Sequence, residues 1–299
     1  MRHLFVINPT AGQHDNTNRI TKMIRDFFGN RVDFDIVRTE YKGHAIEIAR
    51  NAGETGLSYR IYSMGGDGTL NEIVQGMIGF NNLSVTSFPC GTGNDFIKSF
   101  DNKELFNSIE NLVNAKDIEI DVIKCGDRIG INVCSVGFDA EAASNLDKMK
   151  KIPFVTGNLA YTVALFYGFL FNMKNHFKLV IDDHEEYEGD YLFAVAANGK
   201  YYGGGFMPAP LASIKDGMLD IVIIKAVSRM RILGLIEKYK KGEHINIPEI
   251  TTYKKAKKLN IKSNKAFSVN LDGECFQSNE VTFEIIPTAI KFAVPEIIF

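Results

Sequence analysis

The chain has 299 residues, of which 45% are hydrophobic and 23% charged, a length sufficient for two domains with their own cores. The formal net charge of −2 argues against a nucleic-acid-binding protein, because that class usually carries a basic excess. The four cysteines lack C-x-x-C spacing, so we expect free thiols in a reducing cytoplasm rather than a zinc site or a disulfide framework.

The first half of the chain alternates between strand and helix patterns. Its predicted strands are the apolar run 4–7 and the segments 32–36, 59–62 and 83–88, and helical patterns separate them. Thr17 is predicted to cap the first helix. The alternation predicts an open parallel sheet with right-handed crossovers. Such sheets bind ligands at the edge where their strands end, so we expect a ligand site at that edge.

The most informative segment is the glycine-rich loop Ser63–Glu72, with the sequence SMGGDGTLNE, which joins a predicted strand to a predicted helix. Its three glycines lack Cβ atoms, so backbone amides can approach an anion where the helix dipole adds positive charge. Thr69 and Glu72 have the spacing of a capping box. Asp67 would repel a phosphate unless a cation such as Mg²⁺ lay between them. The alternative is that Asp67 only supports the turn.

Polar, small-residue loops follow all four predicted strands of this half. They are Asn8–Gly12, Thr39, Gly65–Asn71 and Gly91–Asp95. Because the strand ends share one edge of the sheet, these loops are expected to converge there. For Thr39 alone, a simple turn is as good an explanation as ligand contact.

From residue 115 onward, short strand patterns replace the alternation. Gly126-Asp127 predicts a hairpin, and the later strand patterns indicate an antiparallel sandwich or a similar two-layer β domain. Helical insertions are predicted at about 140–151 and 158–173. The second insertion has an apolar surface that fits either core packing or a wall for an acyl chain. Its uncharged run is shorter than the ~20 residues of a membrane span.

Lys254–Lys258, with the sequence KKAKK, is a basic cluster. Such a run is usually a solvated edge. It could instead attract an anionic membrane surface, to which each basic residue contributes about 1 kcal/mol.

Four segments carry a resemblance to a known family. The glycine-rich loop is similar to the nucleotide loop of NAD kinases, 6-phosphofructokinases and lipid kinases of the diacylglycerol kinase type. Three further segments narrow the resemblance to the soluble bacterial diacylglycerol kinase-like lipid kinases: Asn8–Gly12 (NPTAG), Pro89–Asp95 (PCGTGND) and Leu271–Glu274 (LDGE).

The resemblance implies a two-domain fold. Its first domain is an α/β nucleotide-binding domain with an open parallel sheet, formed by residues 1–122, and residues 287–299 return to it. Its second domain is a β-rich antiparallel sandwich for the lipid substrate, formed by residues 123–286. A tendency to form homodimers also comes with the family.

The resemblance also implies roles for individual residues. ATP, as co-substrate, would be bound by residues of the converging loops: Asn8, Pro9, Thr10, Ala11, Gly12, Thr39, Gly65, Gly66, Asp67, Gly68, Thr69, Leu70, Asn71 and Thr92. Asn94 and Asp95 would face the junction between phosphate and acceptor. A structural Mg²⁺ would be bound by Ser213, Asp216 and the Met218 carbonyl.

The expected catalytic residues are Glu274, Asp67, Asp272 and Asp95. Glu274 would accept the proton of the lipid hydroxyl in a cleft between the domains, and Asp272 would support it or bind metal. We therefore predict a cytoplasmic, Mg²⁺-dependent lipid kinase, in peripheral contact with the inner face of the membrane, that phosphorylates diacylglycerol. The alternatives are a kinase for a sphingoid base, ceramide, phosphatidylglycerol or NAD, and a non-catalytic ATP-binding regulator.

Overall fold

The computed structural model describes residues 1–12, 14–138, 140–141 and 174–296. Two compact units make up the chain: Met1–Asp121 with Thr288–Phe299, and Val122–Pro287. The predicted domain boundaries differ from these by one residue. Of the two predicted helical insertions, all but residues 140–141 lie outside the described residues. Among the helices of the described residues, none has the length and apolar character of a membrane span.

The first unit alternates strands and helices. Its strands are β1 (Arg2–Ile7), β2 (Phe34–Arg38), β3 (Tyr59–Gly65) and β4 (Leu83–Pro89). Its helices are α1 (Thr17–Phe28), α2 (His44–Glu54), α3 (Asp67–Met77) and α4 (Ile109–Val113), with 3₁₀ helices at Phe96–Ser99 and Lys103–Asn107.

The strands of this unit pair in parallel in the order β2-β1-β3-β4. Lys291 and Phe292, near the end of the chain, extend the sheet in parallel beside Ser84 and Val85. The chain moves outward from β1 to β2 and then crosses back to β3, on the other side of β1. The order therefore reverses between β1 and β3, and the ends of these two strands flank the position where open sheets bind ligands.

The core of the first unit explains why its strands are continuous apolar runs. Phe5 and Tyr62, on β1 and β3, stack with ring centroids 4.2 Å apart, and both are fully buried. Helix α1 contributes Ile20, Ile24 and Phe28 from one face. Thr17 is the first helical residue rather than the cap, so that prediction was wrong; its amide donates to the Asp15 carboxylate at 2.8 Å.

The second unit is β-rich. Its strands are β6 (Arg128–Gly130), β7 (Val133–Gly137), β8 (Asn175–Ile181), β9 (Glu185–Ala197), β10 (Leu219–Lys225), β11 (Thr251–Ala256) and β12 (Lys258–Leu271). Two further strands, β5 (Lys116–Cys125) and β13 (Glu274–Val294), run through the boundaries between the units. The second unit also contains the helix α5 (Arg229–Lys240) and a 3₁₀ helix at Glu243–Asn246.

The registered strand pairs within this unit are antiparallel, and the predicted hairpin at Gly126-Asp127 is confirmed by the pairing of β5 with β6. Alternate residues of β9 and β10 enter two separate hydrophobic clusters. Ala194 and Ile221 belong to one cluster, and Val195 and Val222 to the other. Residues 191–197 of β9 and most of β10 are therefore covered on both faces, which requires their nearly unbroken apolar sequences.

Candidate active site

Three loops of the first unit meet at the carboxyl ends of β1, β3 and β4. The Asn8 side-chain amide donates to the Thr69 hydroxyl at 2.9 Å, which joins the loop after β1 to the start of α3. The Cys90 amide donates to the Gly65 carbonyl at 2.9 Å, which joins the loop after β4 to the end of β3. The loops that the sequence places at one edge are thus in direct contact where the strand order reverses.

The glycines of these loops are needed for packing between the loops as well as for access to a ligand. A Cβ atom added at Gly91 would lie 2.6 Å from the Gly66 Cα, and one at Gly12 would lie 2.6 Å from the Cys90 carbonyl oxygen. Gly68 differs, because a Cβ atom there would have no neighbour within 4 Å. Gly68 therefore borders open space at the start of α3, on the side that a ligand can approach.

Asp67 joins the loop after β4 to the first turn of α3. Its carboxylate oxygens accept hydrogen bonds from the amides of Asp95, at 3.0 Å, and Phe96, at 3.1 Å. Burial raises the pKa of Asp67, the charge of Asp95 raises it further, and the two amide bonds oppose this effect. Lys98 donates to the buried Asp95 carboxylate at 2.6 Å and offsets part of the negative charge.

A bound cation fits the environment of Asp67. Two neighbouring carboxylates repel each other, and each Asp67 oxygen uses only one of its two lone-pair positions on an amide. No cluster of three or more His, Cys, Asp or Glu side chains that could hold a metal occurs in the part of the chain that the structure describes. Mg²⁺ that rides on nucleotide phosphates needs only one or two protein carboxylates, which Asp67 and Asp95 can supply.

The start of α3 offers further groups to a nucleotide. The amides of Thr69 and Leu70 donate to the Gly66 carbonyl, so the amides of Asp67 and Gly68 precede the first intrahelical bonds. The Asn71 side chain is 2% exposed, and its Oδ1 has no hydrogen-bond partner among the described residues. A buried acceptor without a partner is a site where a ligand or water donor is expected.

The predicted capping box at the start of α3 was wrong. The helix begins at Asp67 after Gly66, and Thr69 directs its hydroxyl to Asn8 instead of to a helix amide. Glu72 accepts a hydrogen bond from the Gly43 amide at 3.0 Å, which ties the start of α2 to α3. The local spacing was compatible with a cap, but partners distant in sequence bind both side chains.

Three further nucleotide candidates differ in accessibility. Leu70 is buried, and its amide is already bonded, so its side chain is part of the core. Thr39 is also buried, and its amide donates to the Ile7 carbonyl beyond the end of β2. Thr92 is exposed at the tip of its loop, which Asn94 closes by two hydrogen bonds to Gly91. Thr92 is therefore the most accessible of these three residues.

In the second unit, the turn between β12 and β13 holds the two predicted carboxylates. Asp272 and Gly273 both have positive φ angles, +48° and +95°, as a two-residue type I′ hairpin requires. Glu274 is the first residue of β13 and pairs with Leu271. Its side chain is half-buried.

Asp272 fastens this turn to the segment before β7. Its carboxylate accepts hydrogen bonds from three successive amides: Ile131 at 2.5 Å, Asn132 at 3.1 Å and Val133 at 2.7 Å. The Asn270 side chain accepts from the Gly273 amide at 2.8 Å and fixes the other side of the turn. Three amide donors favour the charged carboxylate and occupy it, so Asp272 is better suited to hold Glu274 in place than to bind metal.

The loop with the predicted structural metal already contains a cation. Asp216 accepts a hydrogen bond from the Met218 amide at 3.1 Å and from the Lys255 ammonium at 2.7 Å. Lys255 also donates to the fully buried Asp220 at 3.0 Å. The set of Ser213, Asp216 and Met218 therefore provides oxygen ligands, but its only carboxylate is paired with an ammonium group. The metal at this loop stays a prediction.

Most of the basic cluster is neutralised. Lys254 pairs with Glu185 at 3.0 Å, Lys255 with Asp216 and Asp220, and Lys258 with Asp183 at 2.8 Å. These pairs give Lys254–Lys258 much less net positive charge than its sequence indicates. The cluster is therefore a poor candidate for the attraction of an anionic membrane.

We expect Lys255→Met to lower the free energy of unfolding by about 2 kcal/mol, because the Tyr253 hydroxyl would be the one side-chain partner left to Asp220 among the described residues. Urea unfolding measures this effect, and Lys262→Met is the matched control, since Lys262 pairs with Glu280 at the surface. An equal loss in the two variants would contradict the role of Asp220. The same urea titrations with and without Mg²⁺ test the predicted structural metal site. If the site binds Mg²⁺, the ion should raise the free energy of unfolding of the unsubstituted protein.

Two protein-family models match this chain, one over most of the first unit and the other over most of the second. Residues 2–125 match the diacylglycerol kinase catalytic domain, and residues 132–294 match the YegS C-terminal NAD kinase beta sandwich-like domain. A Shewanella frigidimarina protein named "Probable lipid kinase YegS-like" is 29% identical over 256 residues, 83% of this chain and 78% of that protein. A Staphylococcus aureus protein that also carries a lipid kinase name is 30% identical over 236 residues, 77% of this chain and 75% of its own length.

Solved structures share the fold. A diacylglycerol kinase from Bacillus anthracis superposes with a TM-score of 0.70 at 20% identity and covers 97% of this chain and 96% of its own. An NAD kinase from Archaeoglobus fulgidus in complex with ATP has a TM-score of 0.53 at 12% identity, with 98% and 94% coverage. The chain therefore has an NAD kinase-like two-domain fold and belongs to the YegS-like lipid kinases, in which a diacylglycerol kinase catalytic domain precedes a YegS C-terminal domain.

Proposed function

We propose that this protein transfers the γ-phosphate of ATP to the hydroxyl of diacylglycerol, with Mg²⁺, and forms phosphatidic acid. The observation that carries the proposal is the position of Asp67. It lies beside Asp95 at the start of α3, where the strand order reverses and the amides of Asp67 and Gly68 precede the first intrahelical bonds. A non-catalytic ATP-binding protein could use this pair for Mg²⁺, but it would have no need of a base such as the one proposed at Glu274.

In this proposal the first unit holds the nucleotide. The amides at the start of α3 bind phosphate oxygens, and the unpartnered Oδ1 of Asn71 accepts a hydrogen bond from the nucleotide or from an ordered water. Mg²⁺, when bound, would offset charge on the phosphates, and Asp67 would hold it directly or through water. Most of the catalytic effect in phosphoryl transfer comes from such positioning and charge stabilisation.

Glu274 is the proposed base for the acceptor. A lipid hydroxyl must lose its proton as it attacks phosphorus, and a carboxylate within hydrogen-bond distance can accept that proton. The type I′ turn and the three amide bonds to Asp272 fix the backbone next to Glu274. A held carboxylate loses less entropy when the reactive geometry forms than a mobile one does.

A panel of acceptors in detergent micelles tests the proposal. The purified protein is incubated with γ-labelled ATP, Mg²⁺ and, one at a time, diacylglycerol, ceramide, sphingosine, phosphatidylglycerol or NAD. Label in phosphatidic acid that disappears with EDTA and returns with Mg²⁺ is the expected result. Faster labelling of another acceptor would replace diacylglycerol as the substrate, and labelling of none would refute the kinase activity.

A further inference from the structure

Helix α5 has a surface that neither the nucleotide site nor the Asp272 turn uses. Among the described residues of the second unit, three large hydrophobic side chains are exposed: Leu211 at 59%, Met230 at 79% and Ile236 at 37%. Two of them are on α5. The third, Leu211, follows Pro210 in a loop that lies against the end of the helix. A Cβ atom added at Gly242, just after α5, would lie 3.0 Å from the Cβ of Pro210. Within the described part of this unit, the large exposed apolar side chains are thus concentrated on one element and the loop beside it.

The opposite side of α5 is anchored. Ile232 is buried in the hydrophobic cluster that covers one face of β9 and β10. Tyr239, seven residues and two turns later, packs edge-on against Phe193 with ring centroids 5.3 Å apart, and its hydroxyl lies 3.0 Å from that of Tyr202. The exposure of Met230 therefore results from the way the helix packs, since the anchored side fixes which residues face solvent.

The exposed side of α5 is strongly positive. Residues 229–241 contain five basic residues and one acidic residue, Glu237, although the whole chain has a net charge of −2. Arg231, Lys238, Lys240 and Lys241 are exposed and form no ion pair with any residue that the structure describes. This differs from Lys254–Lys258, whose charge is largely offset by carboxylates.

We propose that α5 and Leu211 form the surface with which this protein docks on an anionic lipid bilayer. The α5 surface comprises the apolar residues Leu211, Met230 and Ile236 and the basic residues Arg231, Lys238, Lys240 and Lys241. Apolar side chains beside ammonium and guanidinium groups match a bilayer interface, where acyl chains lie beneath anionic headgroups. The inference rests on the proposed function in one respect: a lipid kinase must reach a substrate held in a membrane, and docking through α5 would bring it there.

Sedimentation with vesicles tests the proposal. The full chain is mixed with vesicles of phosphatidylcholine containing 30 mol% phosphatidylglycerol, or with pure phosphatidylcholine vesicles. The expected result is binding to the anionic vesicles alone. Because each basic residue near such a surface strengthens partitioning roughly fivefold, replacing the four basic residues of the α5 surface by glutamine should weaken binding by about 600-fold. Met230→Ser should weaken it several-fold.

Matched variants separate the α5 surface from net charge. Replacing Lys178, Lys254, Lys258 and Lys262 by glutamine removes the same charge from the same unit, and this variant should bind like the unsubstituted protein. Val32→Ser, at a side chain that is 88% exposed in the first unit, is the control for Met230→Ser. Equal losses in both charge variants, binding of the α5 variant at full strength, or no binding of the unsubstituted protein would each overturn the proposal.

Kinase assays in neutral detergent micelles keep this inference distinct from the proposed function. The α5 variant should phosphorylate micellar diacylglycerol at the rate of the unsubstituted protein, since no anionic surface is involved. A protein that binds anionic vesicles through α5 but phosphorylates no lipid would refute the kinase activity and leave the docking surface standing. A protein active on micelles whose vesicle binding does not depend on α5 would refute the docking surface alone.

Discussion

Asp67→Ala should reduce lipid phosphorylation by at least about 10³-fold, because it removes the carboxylate proposed to face Mg²⁺ and the nucleotide phosphates. The same substitution removes the acceptor for the amides of Asp95 and Phe96. The loop after β4 would then lose its link to α3 at the strand ends where the phosphates are expected. The substitution should thus lower the rate in two ways, by removing the carboxylate that faces Mg²⁺ and by loosening the loop after β4.

Asp67→Asn helps to separate these effects. Asparagine has nearly the same size and keeps one oxygen for an amide, but its NH₂ group faces the other amide as a second donor. We expect a stability loss of about 1–3 kcal/mol in both variants and a rate loss that exceeds what this loss explains. Labelled-phosphate assays on folded protein, with urea unfolding alongside, measure the two quantities. Asp101→Ala, at an exposed carboxylate of the same unit, is the control. Substantial activity in Asp67→Ala would remove Asp67 from the proposed chemistry.

The nucleotide loops could be predicted from sequence because their constraints are local. A strand, a glycine-rich turn and a helix start follow one another within Ser63–Glu72, and close approach of backbones requires glycine whatever surrounds it. The partners of the side chains could not be predicted in this way. Glu72 has the spacing of a cap, yet it binds Gly43, 29 residues earlier in the chain.

The charge of Lys254–Lys258 illustrates the same limit. Its acidic partners are far away in sequence, Asp216 by 39 residues and Asp183 by 75, and only the pairing of distant strands brings them together. Helix α5 was missed altogether, although Ser228 followed by apolar residues at helical spacing was a usable signal. That pattern was obscured because the outward side of α5 also carries apolar residues, which blurs the amphipathic period.

Glu274→Gln should leave ATP affinity unchanged and lower kcat by about 10²–10⁴-fold, the usual contribution of a general base. Glutamine is nearly isosteric and leaves the turn intact, so a defect in folding is not expected. Equilibrium binding of ATP and steady-state rates on micellar diacylglycerol measure the two effects. Activity near that of the unsubstituted protein would exclude Glu274 as the base.

Asp272 should behave differently if it positions Glu274 and does not itself react. Asp272→Asn replaces an oxygen by an NH₂ group in a site with three amide donors, so the turn should loosen and kcat should fall. Gly273→Ala disturbs the same turn without a change of charge: its φ is +95° and a Cβ atom would meet no neighbour within 4 Å, so the substitution adds backbone strain alone, about 1 kcal/mol. A lower kcat in both variants would support positioning, because Gly273→Ala loosens the turn and leaves the Asp272 carboxylate in place. A loss of kcat in Asp272→Asn without any loss in Gly273→Ala would instead assign the chemistry to the Asp272 carboxylate, because a loosened turn would affect both variants.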